Sequence, residues 1–194
     1  MKKIIVFLAD GFEEIEALTV VDYLRRADIK VDTVSIKDDL EVIGAHDIKV
    51  ISDKKITEIN KDEYDGLYIP GGLPGATNLR DDKRVVQMAK EFNDSKKIVA
   101  AICAGPIVLD KARVLEDKKA TSFPSFKEKL ENLKEYEDDK IVVVDDNVIT
   151  ARGAAVAVYM ALTLIEKLCG EDKKEELKPG IQQDNVEKYF SIKY

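Results

Sequence analysis

Two cysteines occur in the 194-residue chain, and one of them stands where a thiol can do chemistry. The segment Ile98-Val99-Ala100-Ala101-Ile102-Cys103-Ala104-Gly105-Pro106 reads as a buried strand that runs into Cys103 and then turns into a helix. Pro106 favours a helix start, because the first helical turn has no use for its missing N–H. Ala101 and Gly105 flank the cysteine at two residues on either side, and small side chains there suit a tight strand–nucleophile–helix elbow, as in G-x-S-x-G. A helix N-terminus beyond Cys103 would favour the thiolate through its free N–H groups and dipole. The competing reading is an inert core cysteine, a common fate for a free thiol.

Three further segments carry residues that can assist a thiol. Tyr68-Ile69-Pro70-Gly71-Gly72-Leu73-Pro74-Gly75 ends a strand in glycines, which let backbone amides approach a ligand with no Cβ in the way. An N–H from this turn, paired with that of Ala104, could form an oxyanion hole; the bland alternative is a simple turn. The segment lacks the lysine of a phosphate-binding loop, which counts against nucleotide binding. Asp10-Gly11-Phe12-Glu13-Glu14-Ile15-Glu16 places acids in a first helical turn. There they either complement the helix dipole or, in the case of Glu16, point into a crevice beside Cys103, where a protonated carboxyl donates to a thiolate or an oxidised sulfur and serves as acid or base. Arg152, before Gly153, is a candidate anion contact or an ordinary surface arginine. His46, the single histidine, is more readily structural than catalytic. With no C-x-x-C pair and one histidine, the donors for a zinc site are lacking, so no metal and no cofactor is expected. A Cys103–Cys169 disulfide is disfavoured in a reducing compartment.

These residues need a scaffold, and the hydrophobic pattern supplies one. Apolar runs at Ile4–Ala9, Val31–Ser35, Gly66–Ile69, Ile98–Ile102 and Val148–Thr150 read as strands buried on both faces. Helical patterns cover Glu13–Ala27, Asp82–Phe92, Pro106–Lys111, Ser125–Leu133 and Ala154–Leu168. The alternation predicts an α/β fold, a mostly parallel sheet with helices on both faces. Glu41–Ile43 and Ile48–Ile51 form one predicted hairpin, and Ile141–Val144 with Val148–Thr150 another, around Asp145-Asp146-Asn147. Residues 1–194 are expected to form a single domain; Glu171–Leu177 is charged, Lys178-Pro179-Gly180 breaks it, and Gln182–Tyr194 is either a docked helix or a frayed tail. Open sheets of this kind bind ligands beyond the carboxyl ends of their strands, which points to the loops after Ala9, Ile69, Ile102 and Thr150.

Composition narrows the partners. A net charge of −7, with lysines and acids interspersed, leaves no basic stripe for nucleic acid. No apolar run reaches the roughly 18 residues a membrane span requires. The N-terminal apolar stretch is too short for a signal peptide and is followed at once by acids, so a cytoplasmic location is expected.

Taken together, Gly11-Phe12-Glu13-Glu14-Ile15-Glu16, Arg25-Arg26-Ala27, Pro70-Gly71-Gly72, Ala100-Ala101-Ile102-Cys103-Ala104-Gly105-Pro106 and Thr150-Ala151-Arg152-Gly153 resemble the ThiJ/PfpI superfamily, in its branch of the Parkinsonism-associated protein deglycase (DJ family). The likeness runs from Lys3 to about Gly170. It implies a flavodoxin-like three-layer sandwich, usually a homodimer, with Cys103 as nucleophile and peroxide-sensitive thiol and Glu16 as the protonated glutamate beside it. Gly72 and Ala104 match the family's amide donors; Gly71, Arg152, His46 and Arg26 complete the set as contacts to substrate or to the catalytic groups. The activities implied are cofactor-free conversion of methylglyoxal to lactate and repair of early glycation adducts, redox-dependent chaperoning, and, in other branches, amidase or peptidase chemistry. One departure stands out. Phe123, in Thr121-Ser122-Phe123-Pro124, occupies the place where the family often has a histidine near the cysteine, which speaks against a Cys–His peptidase.

Overall fold

The computed structural model describes residues 1–192. Its frame is a seven-stranded sheet built from β1 (Lys3–Leu8), β2 (Lys30–Ser35), β5 (Lys54–Lys55), β6 (Gly66–Ile69), β7 (Ile98–Ile102), β10 (Val142–Asp145) and β11 (Val148–Ala151). The strands lie in the order β10-β11-β7-β6-β1-β2-β5, all pairs parallel except the β10–β11 hairpin. The β1 side chains show why both faces must be covered. Ile4, Val6 and Leu8 belong to one core, Ile5 and Phe7 to the other, and all five are fully buried, as a period of two demands.

On one face pack α2 (Gly75–Asp81), α3 (Lys83–Asp94) and α4 (Pro106–Lys111), contributing Leu79, Val85, Phe92 and Val108. The other face carries α1 (Glu14–Arg26) and α5 (Ala157–Cys169), with Val20, Leu24, Met160 and Leu164 inside. The result is the flavodoxin-like α/β sandwich. Strand order reverses between β1 and β6, so the crevice beyond their carboxyl ends is where such a sheet places its chemistry.

Smaller pieces complete the fold. The hairpin of β3 (Glu41–Ile43) and β4 (Lys49–Ile51) sits against the start of α1 through a Phe12–Gly44 bridge. A short pair, β8 (Lys119–Ala120) and β9 (Glu135–Tyr136), brackets a 3-10 turn at Pro124–Lys129. The helix expected over Ser125–Leu133 is thus reduced to that turn, since Leu130, although buried in the core, already leaves helical geometry. Pro74-Gly75 opens α2 where a bare turn was the reading, because Gly75 packs directly on Gly11 and Phe12. α6 (Glu171–Gly180) continues through Lys178-Pro179, against the expected break. Proline lies there in the last turn, where the lost N–H removes a single bond and Leu177 and the Lys174 and Lys178 stems still pack inward. α7 (Gln183–Phe190) docks through Lys178 Nζ to Glu187 (3.2 Å) and Gln183 to the Tyr159 hydroxyl (3.3 Å), so the tail is a docked helix as far as Ser191, and its last two residues lie outside those described. Among the described residues no helix is long and apolar enough to cross a membrane.

Candidate active site

Cys103 sits between β7 and α4 with φ of +60°, a left-handed conformation that side chains other than glycine adopt at a cost of about 1–3 kcal/mol. The turn is held from both sides: its N–H donates to the Ala151 carbonyl (2.9 Å), and its carbonyl accepts from the Phe123 N–H (2.9 Å). Gly105 is needed for close packing, since a Cβ there would lie 2.6 Å from the Ile69 carbonyl oxygen. A strained, over-determined cysteine at the end of a buried strand is the elbow the local sequence predicts. The thiol itself is only partly buried.

Glu16, in the first turn of α1, is fully buried. Its Oε2 accepts the Gly71 N–H (2.7 Å), and the Tyr68 hydroxyl donates to its backbone carbonyl (3.0 Å). The other oxygen, Oε1, is buried without a well-aligned partner. The carboxyl as a whole feels the Cys103 thiol, which favours its ionised form. Gly71 lies between the two: a Cβ on it would be 2.6 Å from Glu16 Oε2 and 2.7 Å from the Cys103 Cβ. Gly72 turns the chain with φ of +84°, and its amide, with that of Ala104, acts to favour the charge on sulfur.

Burial is the main force on both acids. It pushes Glu16 up to about 7, against the opposing hydrogen bonds from Gly71 and Cys103, and the nearby Glu13 charge adds to the rise. Burial also pushes the Cys103 thiol up to about 12, helped by the charge and hydrogen bond of ionised Glu16, while the Ala104 and Gly72 amides pull it down. The Ala104 and Gly72 amides favour the thiolate, but burial and the Glu16 charge together outweigh them. When Glu16 takes the proton, its charge vanishes and it becomes a donor, so the sulfur is relieved of two of the three influences that raise it. The two groups form one acid pair, and the reactive arrangement is the one with the proton on carbon-bound oxygen and the charge on sulfur.

The remaining predicted contacts lie elsewhere. His46 is mostly exposed and bonds Glu14 rather than Cys103, with its Nδ1 2.8 Å from Glu14 Oε2 and its N–H 2.8 Å from Oε1. Burial alone would raise Glu14; the His46 ring and amide outweigh it and hold the carboxyl below its ordinary range, while Glu14 raises His46 in turn. Arg152 donates to the Asp138 carbonyl and not toward the sulfur. Arg26 is a correction of a plainer kind: it follows Glu16 by ten residues, about 15 Å along α1, and pairs with Asp22 (2.7 Å). Glu13, Glu14 and His46 do bring three potential metal donors within 4.8 Å of one another, but the His46–Glu14 bond accounts for that closeness.

Two contributors escaped the sequence reading. Tyr68, whose hydroxyl fixes the Glu16 turn, looks like any aromatic in a buried strand. Glu13, whose charge reaches Glu16, looks like one more acid at a helix start. No periodicity marks either one.

Comparison with known proteins places the chain in a family and a fold. The DJ-1/PfpI family profile matches residues 2–167. Drosophila melanogaster dj-1beta is 37% identical over 180 residues, covering 93% of this chain and 96% of that protein. Its crystal structure superposes with a TM-score of 0.90 at 35% identity, over 100% of this chain and 99% of the other. Oxidised Toxoplasma gondii DJ-1 superposes with a TM-score of 0.87 at 32% identity, over 94% and 98%. A Bacillus subtilis protein named putative cysteine protease YraA is 38% identical over 151 residues, covering 78% of this chain and 89% of its own.

Proposed function

The chain belongs to the DJ-1/PfpI family, and from that premise we propose that it is a cofactor-free cysteine enzyme acting on small reactive carbonyls, in the manner of a methylglyoxal-to-lactate converting enzyme or a deglycase. The observation that carries the reading is the placement of a fully buried, proton-holding Glu16 against the Cys103 thiol, with two backbone amides favouring the charge on sulfur. A carboxyl held near neutrality is matched to proton transfer at physiological pH.

The sequence of steps uses these groups and water alone. The Cys103 thiolate adds to the aldehyde carbon of methylglyoxal, forming a C–S bond and moving the carbonyl electrons onto oxygen. That oxygen, two bonds from the sulfur, comes within reach of the Gly72 and Ala104 amides and takes the Glu16 proton. The resulting Glu16 carboxylate removes the hydrogen from the former aldehyde carbon as a proton and returns it to the neighbouring carbonyl carbon, while the hydroxyl proton passes to the oxygen of that neighbouring carbon. One carbon is thereby oxidised and the other reduced, leaving a lactoyl thioester on Cys103. Water hydrolyses the thioester to lactate and restores the thiol. Chelator-treated protein should turn methylglyoxal into lactate and Cys103→Ser should not; no lactate from wild type, or equal rates from the two, would refute the proposal.

A second reading has its own observation. The unpartnered Glu16 Oε1 is placed to donate, once protonated, to an oxygen on Cys103, so peroxide would convert the thiol to a retained sulfinate, as in a redox sensor or chaperone. The oxidised state of the Toxoplasma relative is consistent with such a role. Peptide mapping after graded peroxide should find Cys103 oxidised before the exposed Cys169; the reverse order would rule this reading out. Proteolysis is disfavoured, because Phe123, whose N–H holds the Cys103 carbonyl, stands where a Cys–His pair would need a histidine. The chain is further proposed to act as a homodimer through α1 and the β3–β4 hairpin, where Ile15, Ile48 and Ile51 are exposed together with His46.

A further inference from the structure

Two large apolar side chains stand exposed on segments whose backbone borders the Cys103 turn. Leu73, 55% exposed, follows the glycine whose amide favours the charge on sulfur. Phe123, 46% exposed, is tied to the elbow itself, since its N–H is the donor to the Cys103 carbonyl (2.9 Å). The Phe123 ring lies over the turn after β11, with Cδ2 3.5 Å from where a Gly153 Cβ would stand, and β11 supplies the carbonyl that holds the Cys103 N–H. Backbone anchoring fixes Phe123 beside the Cys103 turn, and nearly half of its surface is exposed. Neither residue belongs to a hydrophobic core of the fold. The side-chain charge acting most on the thiol is that of the acid Glu16, and the Arg152 side chain is turned to the Asp138 carbonyl, so the mouth is set for uncharged groups.

We infer that Phe123, with Leu73, is a specificity-determining wall that selects electrophiles carrying an apolar, preferably aromatic, substituent on the reactive carbonyl, so that aryl glyoxals are preferred over glyoxal and over anionic glyoxylate. This inference deepens the carbonyl reading above and rests on it for the word substrate. The selection itself is a property of the thiol's surroundings and can be read without turnover.

The test is competitive alkylation in a Cys169→Ser background, with equal chloroacetone and phenacyl chloride. In each case the Cys103 sulfur displaces chloride, a C–S bond forms, chloride leaves with its electron pair, and the thiol proton passes to Glu16 or buffer. The thiolate fraction cancels in the ratio of the two adducts, which intact-mass spectrometry reads directly. Dividing by the same ratio on glutathione removes the intrinsic reactivity of the probes. Wild type should favour the phenacyl adduct by about three- to tenfold after this correction, as one aromatic contact provides. Phe123→Ala should bring the ratio close to that of glutathione, and Phe123→Leu should fall between them, keeping the test valid should the alanine variant fold poorly. A corrected wild-type ratio near one, or an unchanged ratio in Phe123→Leu and Phe123→Ala, would overturn the inference. A protein that shows the ratio but no carbonyl turnover would instead refute the enzymatic reading and leave the wall standing.

Discussion

Replacing Glu16 with glutamine should make Cys103 a faster nucleophile while making the protein a poorer enzyme. Glutamine keeps the shape of the side chain and an oxygen for the Gly71 N–H, and removes the charge. At about 4 Å and an effective dielectric of about 20, that charge disfavours the thiolate by about 4 kcal/mol, or roughly 3 pH units. The thiol, pushed up to about 12 beside ionised Glu16, should then titrate near about 9. The same relief operates transiently in the wild type whenever Glu16, itself raised to about 7, holds the proton. The gap of about two units between those values fixes the proton-on-Glu16, charge-on-sulfur arrangement at about 1% of the singly protonated pair, independent of pH while the pair holds one proton. Iodoacetamide alkylation of Cys103, followed by peptide mass in a Cys169→Ser background, should therefore rise to pH 7 in wild type and then level off. In Glu16→Gln it should keep rising toward pH 9 and be about tenfold faster at pH 8. Superimposable profiles, or a slower variant at pH 9, would show that the Glu16 charge does not govern the sulfur.

Other consequences are read on stability. Because burial raises Glu16 from 4.5 to about 7, the folded protein binds a proton the unfolded chain has released between those values; its stabilisation is full below about pH 4.5 and is lost as pH rises through 7. Urea denaturation of wild type should thus lose about 3 kcal/mol relative to Glu16→Gln between pH 4.5 and 8, and an equal gap at both pH values would contradict this origin of the shift. Gly71→Ala puts a carbon 2.6 Å from Glu16 Oε2 and 2.7 Å from the Cys103 Cβ, so it should cost about 1–3 kcal/mol in stability and about a hundredfold in turnover; near-wild-type kinetics would refute the tight apposition. Far from the site, Asp32 is buried among Lys3, Lys54 and the Tyr64 hydroxyl. Asp32→Ala should cost about 3–5 kcal/mol by leaving Lys3 enclosed without that partner, and a loss below 1 kcal/mol in denaturant would show the cluster to be superficial.

Much of this architecture was legible beforehand because both-face burial leaves its mark on sequence. Ile4 to Leu8 and Ile98 to Ile102 are apolar at every position since each residue meets one core or the other. The elbow was legible for a similar reason: Ala101, Gly105 and Pro106 are what a tight strand-to-helix turn tolerates. Burial of Glu16 was not, because a glutamate in a first helical turn looks the same whether it faces water or sulfur, and only the strand order places α1 over the crevice. The partners of Arg26 and His46 were not legible for a related reason. Their neighbourhood is set by the length of α1 and by the hairpin docking on Glu14, neither of which a motif encodes. α6 was read as broken because proline is a strong local signal, but a proline in a final turn leaves the packing of Leu177 intact.

The central claim is that a proton moves between one carboxyl and one thiol while a carbonyl is bound. Steady-state conversion of methylglyoxal to lactate at pH 7.5, measured side by side for wild type, Cys103→Ser and Glu16→Gln, tests it most directly. The account predicts no lactate from the serine variant and a loss of at least about a hundredfold in Glu16→Gln, even though that variant alkylates faster than wild type. Lactate formation by Glu16→Gln that rises along with its alkylation rate would contradict the account.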